Sequence, residues 1–208
     1  MRLSGWFVGL LIAGCCLAPV EAQPGGLLMA RVSQWESQSL PLKMVRNDKI
    51  ASLLEITPQQ LENVDEQVRQ THERIDGIFR EHLKDHDEQE LRTISNACSG
   101  EIRKFPSLLF AQLEEAQARR LIQICSRYMV QQKYGGLGGF LLSTDADRLG
   151  LSEDQLQAVR DKGNAGEPQI LAVLSAEQQQ TLGNMLGEPL DFAEYGIEFR
   201  RGSPPGNR

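Results

Sequence analysis

Leu149-Gly150-Leu151-Ser152-Glu153-Asp154-Gln155-Leu156-Gln157-Ala158-Val159 matches Leu54-Glu55-Ile56-Thr57-Pro58-Gln59-Gln60-Leu61-Glu62-Asn63-Val64 position by position. The shared pattern is Leu-x-[Ile/Leu]-[Ser/Thr]-x-x-Gln-Leu-x-x-Val. A third copy, Val173-Leu174-Ser175-Ala176-Glu177-Gln178, keeps its core, and a fourth, Leu113-Glu114-Glu115-Ala116-Gln117, is degenerate. Ser or Thr followed three residues later by Gln is a capping box. The hydroxyl accepts from the N3 backbone N–H, and the Gln side chain reaches back to the N-cap N–H. Thr57 with Gln60, Ser152 with Gln155 and Ser175 with Gln178 therefore read as helix caps, each contributing about 1 kcal/mol. Pro58 suits N1, where its missing N–H costs nothing. Ile56 with Leu61, and Leu151 with Leu156, add hydrophobic staples. At Glu114 the cap hydroxyl is missing, so the motif alone predicts no helix start there. Two copies matching over eleven positions point to two halves of common ancestry.

Outward from the caps, helical periodicity dominates. Leu61, Val64, Val68, Thr71, Ile75, Ile78 and His82 are spaced 3, 4, 3, 4, 3, 4, a coiled-coil-like seam that packs on another helix within the chain or across a dimer. Leu91, Ile94, Cys98, Ile102 and Phe105 form a second face, which the sequence ends at Phe105-Pro106-Ser107. Leu121, Ile124, Cys125, Tyr128 and Met129 form a third within a stretch from Ala111 to Tyr134 free of Gly and Pro. Shorter helices are expected over Leu27–Trp35, Leu42–Leu54, Ser152 to Lys162 and Pro168–Leu174, with one turn from Asp145 to Leu149. A last helix runs from Ser175 to Leu186, closed by Gly187. No stretch reads as a strand. The expected fold is all-α, made of long amphipathic helical hairpins. Residues 23–134 form an N-terminal half, 135–139 a flexible glycine joint and 140–190 a C-terminal half. Residues 191–208 form a mostly disordered tail whose Asp191–Phe199 segment is aromatic enough to pack back.

The N-terminus reads as an export signal. Arg2, an apolar run from Trp6 to Leu17, and small residues at Val20 and Ala22 match a signal peptide over residues 1–22. Ile12-Ala13-Gly14-Cys15 also resembles a lipobox, so a lipid anchor at Cys15 is the competing reading, although the apolar run continues beyond it. The expected location is periplasmic or secreted. No later stretch is apolar enough to span a bilayer. The net charge of −6 argues against nucleic acid or anionic membrane as the main partner. The two cysteines beyond the signal, Cys98 and Cys125, leave open a disulfide or two buried thiols, since an exported chain favours the former and their offset on adjacent helices the latter.

Candidate chemistry is sparse. His82 and His86 share a helix face and are weak candidates for binding zinc or copper, with no clear third or fourth ligand. Acidic pairs such as Asp85-Asp87 and Glu114-Glu115 read as solvated face. No catalytic constellation and no cofactor motif is recognised; Tyr134–Gly139 lacks the Lys-[Ser/Thr] of a phosphate loop. The residues thus point to a non-catalytic protein that uses apolar helix faces on other polypeptides. A metal-sequestering protein and a dimerising structural protein are the alternatives.

The set Ile56-Thr57-Pro58-Gln59-Gln60, Leu151-Ser152-Glu153-Asp154-Gln155 and Leu174-Ser175-Ala176-Glu177-Gln178 resembles the Leu-Thr-x-x-Gln motif of bacterial periplasmic stress proteins of the Spy and CpxP type. That resemblance implies long bent helical hairpins and a role as an ATP-independent chaperone, stress modulator or metal-linked sensor. The chain differs from that family in its acidic charge, its two extra cysteines and its two motif spacings, 57 residues for Ile56 and Leu113 but 23 for Leu151 and Leu174.

Overall fold

The structure, a computed structural model, describes residues 39–82, 88–163, 165–197 and 199. Among these the elements are α1 (Leu40–Val45), α2 (Asp48–Leu53), α3 (Pro58–His82), α4 (Glu88–Phe110), α5 (Glu115–Tyr134), α6 (Leu137–Leu141), a 3₁₀ turn (Thr144–Leu149), α7 (Glu153–Lys162), α8 (Glu167–Leu171) and α9 (Ala176–Leu186). No strand occurs among the described residues, so the fold is all-α. The signal segment, Cys15, Leu27–Trp35 and residues 200–208 of the tail lie outside the described residues. The chain divides into two compact units between Leu121 and Ile122, inside α5. The glycine run at 135–139 therefore falls within the second unit rather than between halves.

The first unit is built on the pairing of α3 with α4. The seam read from the sequence supplies the contact: Val64, Val68, Thr71 and Ile75 are buried. Ile94, Cys98, Phe105 and Leu109 are the buried face of α4. Arg74 crosses between the helices, donating from Nε to Glu101 Oε2 at 2.8 Å and from Nη2 to Thr71 Oγ1 at 2.9 Å. Lys104 Nζ reaches the other Glu101 oxygen at 2.5 Å. These two cations, Lys104 first, hold the Glu101 carboxyl below its usual range.

Two expectations are corrected in this unit. Pro106 does not end the second helix; it lies inside α4, which continues to Phe110. Burial of Phe105 and Leu109 on either side offsets the one backbone bond that the proline removes. The stretch Leu42–Leu54 is two helices, not one. Asn47 interrupts it and caps α2, its Oδ1 accepting from Lys49 N and Ile50 N, both at 3.1 Å. Asn favours this local bond over continued helix.

The second unit gathers the last part of α5, α6 to α9 and the segment after them. Its core includes Val130, Phe140, Leu141, Val159, Leu174 and Leu186. Gly135 and Gly136 turn the chain at φ 71° and 129°, and α6 folds back tightly. A β-carbon at Gly139 would lie 2.1 Å from the carbonyl oxygen of Tyr134. The glycine run is thus a packed corner, and the expectation of a flexible joint is corrected: only glycine admits so close an approach of backbone to backbone. Tyr134 and Lys133 brace the corner, the Tyr134 hydroxyl and Lys133 Nζ (2.8 Å) both donating to Asp145. Part of the expected tail is ordered. Phe192 and Ile197 are buried, and Tyr128 of α5 meets the rings of Phe192 and Phe199 at centroid distances of 5.7 and 5.4 Å.

Two glycine substitutions separate corner from helix. Gly139→Ala should destabilise the chain by about 1–3 kcal/mol, because the methyl meets backbone. Gly100→Ala, mid-helix in α4 with nothing within 4 Å of the added carbon, should stabilise it by about 0.5–1 kcal/mol. Urea unfolding of the two variants reads both signs; a neutral Gly139→Ala would mean the corner is not packed.

Candidate functional site

The repeated caps are not independent: they meet in pairs. In the second unit Ser152 and Ser175 each complete a capping box. Ser152 N donates to Gln155 Oε1 at 3.0 Å and Ser175 N to Gln178 Oε1 at 2.9 Å. Each hydroxyl accepts from the N3 backbone at 3.2 Å. The two glutamines then face each other. Gln155 Nε2 donates to Gln178 Oε1 at 2.7 Å, and Gln178 Nε2 to Gln155 Oε1 at 3.2 Å. Each amide nitrogen also reaches the chain that enters the other's cap: Gln155 to Val173 O at 3.0 Å, Gln178 to Leu149 O at 3.2 Å and Gly150 O at 3.3 Å. Two donors and two acceptor sites on each side chain are thus used. Only a primary amide carries that set; a carboxylate lacks the donors.

The first unit repeats the junction between the starts of α3 and α5. Thr57 N donates to Gln60 Oε1 at 2.9 Å, and Gln60 N to Thr57 Oγ1 at 3.2 Å. Gln60 Nε2 donates to Gln117 Oε1 at 2.7 Å, and Gln117 Nε2 to Glu55 O at 3.0 Å. The degenerate fourth motif is therefore a working partner. Glu114 N donates to Gln117 Oε1 at 2.9 Å, and α5 begins at the next residue. The sequence reading that withheld a helix start here is corrected: the glutamine, not the hydroxyl, is what the junction needs. The signal lay in the paired spacing, since each copy has its partner within its own unit.

The two junctions align further. Gly150, two residues before Ser152, has φ 58°; Glu55, two residues before Thr57, has φ 54° and is the one positive-φ residue other than glycine among those described. Ile56 N donates to Ala51 O at 2.9 Å and Glu55 N to Ser52 O at 3.1 Å, a Schellman end to α2. That left-handed residue turns its carbonyl toward the opposing glutamine in both units. In Glu55 it does so against the strain of a β-carbon.

The remaining candidates stay apart from this arrangement. His82 is half-exposed, with Nε2 4.0 Å from Glu81 Oε2. His86 lies outside the described residues. Among the described residues no group of three or more His, Cys, Asp or Glu is placed to hold a metal. Cys98 and Cys125 are free thiols and buried. Burial raises both thiol pKa values, with Glu101 adding to the effect at Cys98. Neither is a poised nucleophile. Of the Leu61–His82 seam, Val64, Val68, Thr71 and Ile75 are buried, while Leu61, Ile78 and His82 are half-buried.

One feature of the second unit was not read from the sequence. Arg127 of α5, its side chain only 12% exposed, donates from Nε to Leu186 O at 2.9 Å and from Nη2 to Gly187 O at 2.7 Å. Its Nη1 meets both oxygens of Glu167 at 3.1 Å. A cation thus closes the negative end of α9, where the dipole favours it. An open cavity of about 260 Å³ adjoins this cluster, reaching Phe192 and Phe199. No local pattern marks it, because its walls come from segments far apart in the chain.

No family model, curated protein or solved structure matches the chain.

Gln155→Ala and Gln178→Ala should each cost about 1–3 kcal/mol, because each leaves carbonyls and a cap N–H without a partner. The double variant should fall short of the sum by about 1 kcal/mol, the coupling of the amide pair in a thermodynamic cycle. Strict additivity would dismiss the pairing.

Transplanting the second unit's residues should repair the first. Glu114→Ser supplies the missing cap hydroxyl and should add about 1 kcal/mol. Glu55→Gly relieves the left-handed strain and should add about 0.5–1 kcal/mol. Denaturant midpoints check both; a loss in either variant would refute the alignment of the two junctions.

Proposed function

We propose that the chain is an exported, non-catalytic helical protein that binds unfolded or partner polypeptide in the bacterial envelope, a chaperone or stress modulator of the Spy and CpxP type. The observation that supports this most is the pairing of its Leu-Thr-x-x-Gln-like motifs. Glutamines 60 and 117, and 155 and 178, are the motif's signature position, and all four take part in the junctions. The motif thus acts in helix architecture, which favours membership of a helical family over a chance match.

The α3–α4 pair supports the same reading. Beyond its buried seam it carries half-buried apolar side chains, among them Ile78, Phe79, Leu91, Ile102 and Phe110. Apolar groups held partly open on a long helical scaffold can take up unfolded chain without nucleotide-driven movement. Exposed ion pairs, such as Arg69 with Glu66 and Glu73, flank them and keep the surface soluble.

The test is turbidity. The chain from Gln23 onward, added at rising ratio to a heat-unfolded client without ATP, should suppress aggregation and saturate near one chain per client. Ile102→Ser, on the half-buried face of α4, should weaken suppression several-fold while the far-ultraviolet helical signal is kept. No suppression at large excess would eliminate the holdase reading.

A further inference from the structure

The cavity beside Arg127 has a chemistry that polypeptide binding does not use. Its apolar lining includes Val130, Leu137 and the edge-to-face rings of Phe192 and Phe199, whose centroids are 5.4 Å apart. Its charged lining is Arg127, Glu167 and Asp191. The Arg127 guanidinium is spent: it faces Glu167 and the two carbonyls that end α9. Asp191 is exposed, and its carboxylate accepts from Ala193 N at 3.0 Å. Among the described residues the lining thus holds one cation against two carboxylates, and the exposed Asp191 leaves surplus negative charge beside a space of mixed polar and aromatic lining. A volume of about 260 Å³ is small for drug-sized ligands, whose sites span roughly 300–1,000 Å³. It is ample for a single ring, since an apolar cavity of roughly 150 Å³ already holds benzene.

We propose that this cavity is a binding site for small organic ammonium ions, one aromatic or branched aliphatic group carrying one positive charge on a short arm. The apolar group enters between Leu137 and the two phenylalanine rings, and the ammonium remains at the mouth beside Asp191. Aromatic faces near the entry attract the same charge. Anions of equal size are disfavoured by the two carboxylates, and neutral analogues lose the charge contact. The site rests on the second unit alone and is independent of the polypeptide-binding reading.

Phenethylammonium, phenylacetate and 2-phenylethanol share a ring and an arm but differ in charge. Titrated into the full chain and followed by NMR, phenethylammonium should bind saturably at one per chain, shifting the Leu137 methyls and the Phe192 and Phe199 rings. Phenylacetate should leave these signals unmoved. Asp191→Asn keeps the acceptor for Ala193 N and should weaken phenethylammonium about tenfold or more. Absence of saturation at millimolar ligand would overturn the site. So would equal binding of phenylethanol together with an unchanged affinity in Asp191→Asn. Aggregation suppression in the same sample is unaffected by either result.

Discussion

Bringing the starts of two helices together is costly, because each presents unpaired N–H groups and the positive end of a dipole. The structure meets that constraint with one side-chain type. A capping glutamine folds its carbonyl back onto its own helix start and turns its amino group to the neighbouring one. When two such side chains face each other, the donors of one answer the acceptors of the other. In both units the exchange is complete, Gln155 with Gln178 and Gln60 with Gln117 each bonded in both directions. Acidic residues in the first turns, Glu153 and Asp154 on α7 and Glu177 on α9, add favourable charge where the two dipoles converge. Because each amide has a partner in another part of the chain, the junction fixes relative helix placement and not only helix starts.

The same junction tolerates different lengths of chain between its halves. In the second unit its glutamines are 23 residues apart, room for α7 and the five-residue α8. In the first they are 57 apart, and the extra length becomes α3 and α4. Closing the longer loop costs little more entropy than closing the shorter, since the penalty grows only with the logarithm of length. What the longer loop requires is a core of its own, which the α3–α4 seam supplies. The junction in the first unit is also the less refined: Glu55 bears left-handed strain where Gly150 bears none, and Glu114 stands where a hydroxyl would complete the box. A larger buried interface can carry such defects.

Much of this was legible from sequence because it is local. The caps at Thr57, Ser152 and Ser175, the spacing of Val64, Val68, Thr71 and Ile75, and the end of α9 at Gly187 all follow from interactions within a few residues. The misreadings share the opposite property. Pro106 and the Gly135–Gly139 run carry strong local signals for interruption, yet Phe105 and Leu109 hold the first in a helix and the Tyr134 backbone packs the second into a corner. Glu114 looked like a failed cap because it has no hydroxyl; its N–H is capped by Gln117, and what holds that glutamine is Gln60, 57 residues before Gln117. The Arg127 cluster was invisible for the same reason. Its partners, Glu167, Leu186 and Gly187, are 40 to 60 residues away, and two of the acceptors are backbone carbonyls with no sequence signature.

The polar contacts divide into those that hold the fold and those that shape the surface. Arg127 and the facing amide pairs are part-buried and bond backbone carbonyls far along the chain, so losing them removes partners from groups that water reaches only in part. The ion pairs of α3 are different. Arg69 and Glu73 are more than half exposed, and such pairs contribute about 0–1 kcal/mol. The solvent face of α3 is therefore little constrained by stability and is open to other demands. Its carboxylates, Glu62, Asp65, Glu66, Glu73, Asp76 and Glu81, outnumber its arginines, Arg69, Arg74 and Arg80, and they contribute to the net charge of −6. Such a field slows the approach of anionic polymers and hastens that of cationic ones. Selection by charge at long range and by apolar contact at short range can then act on the same helix pair without disturbing the junction on which it stands.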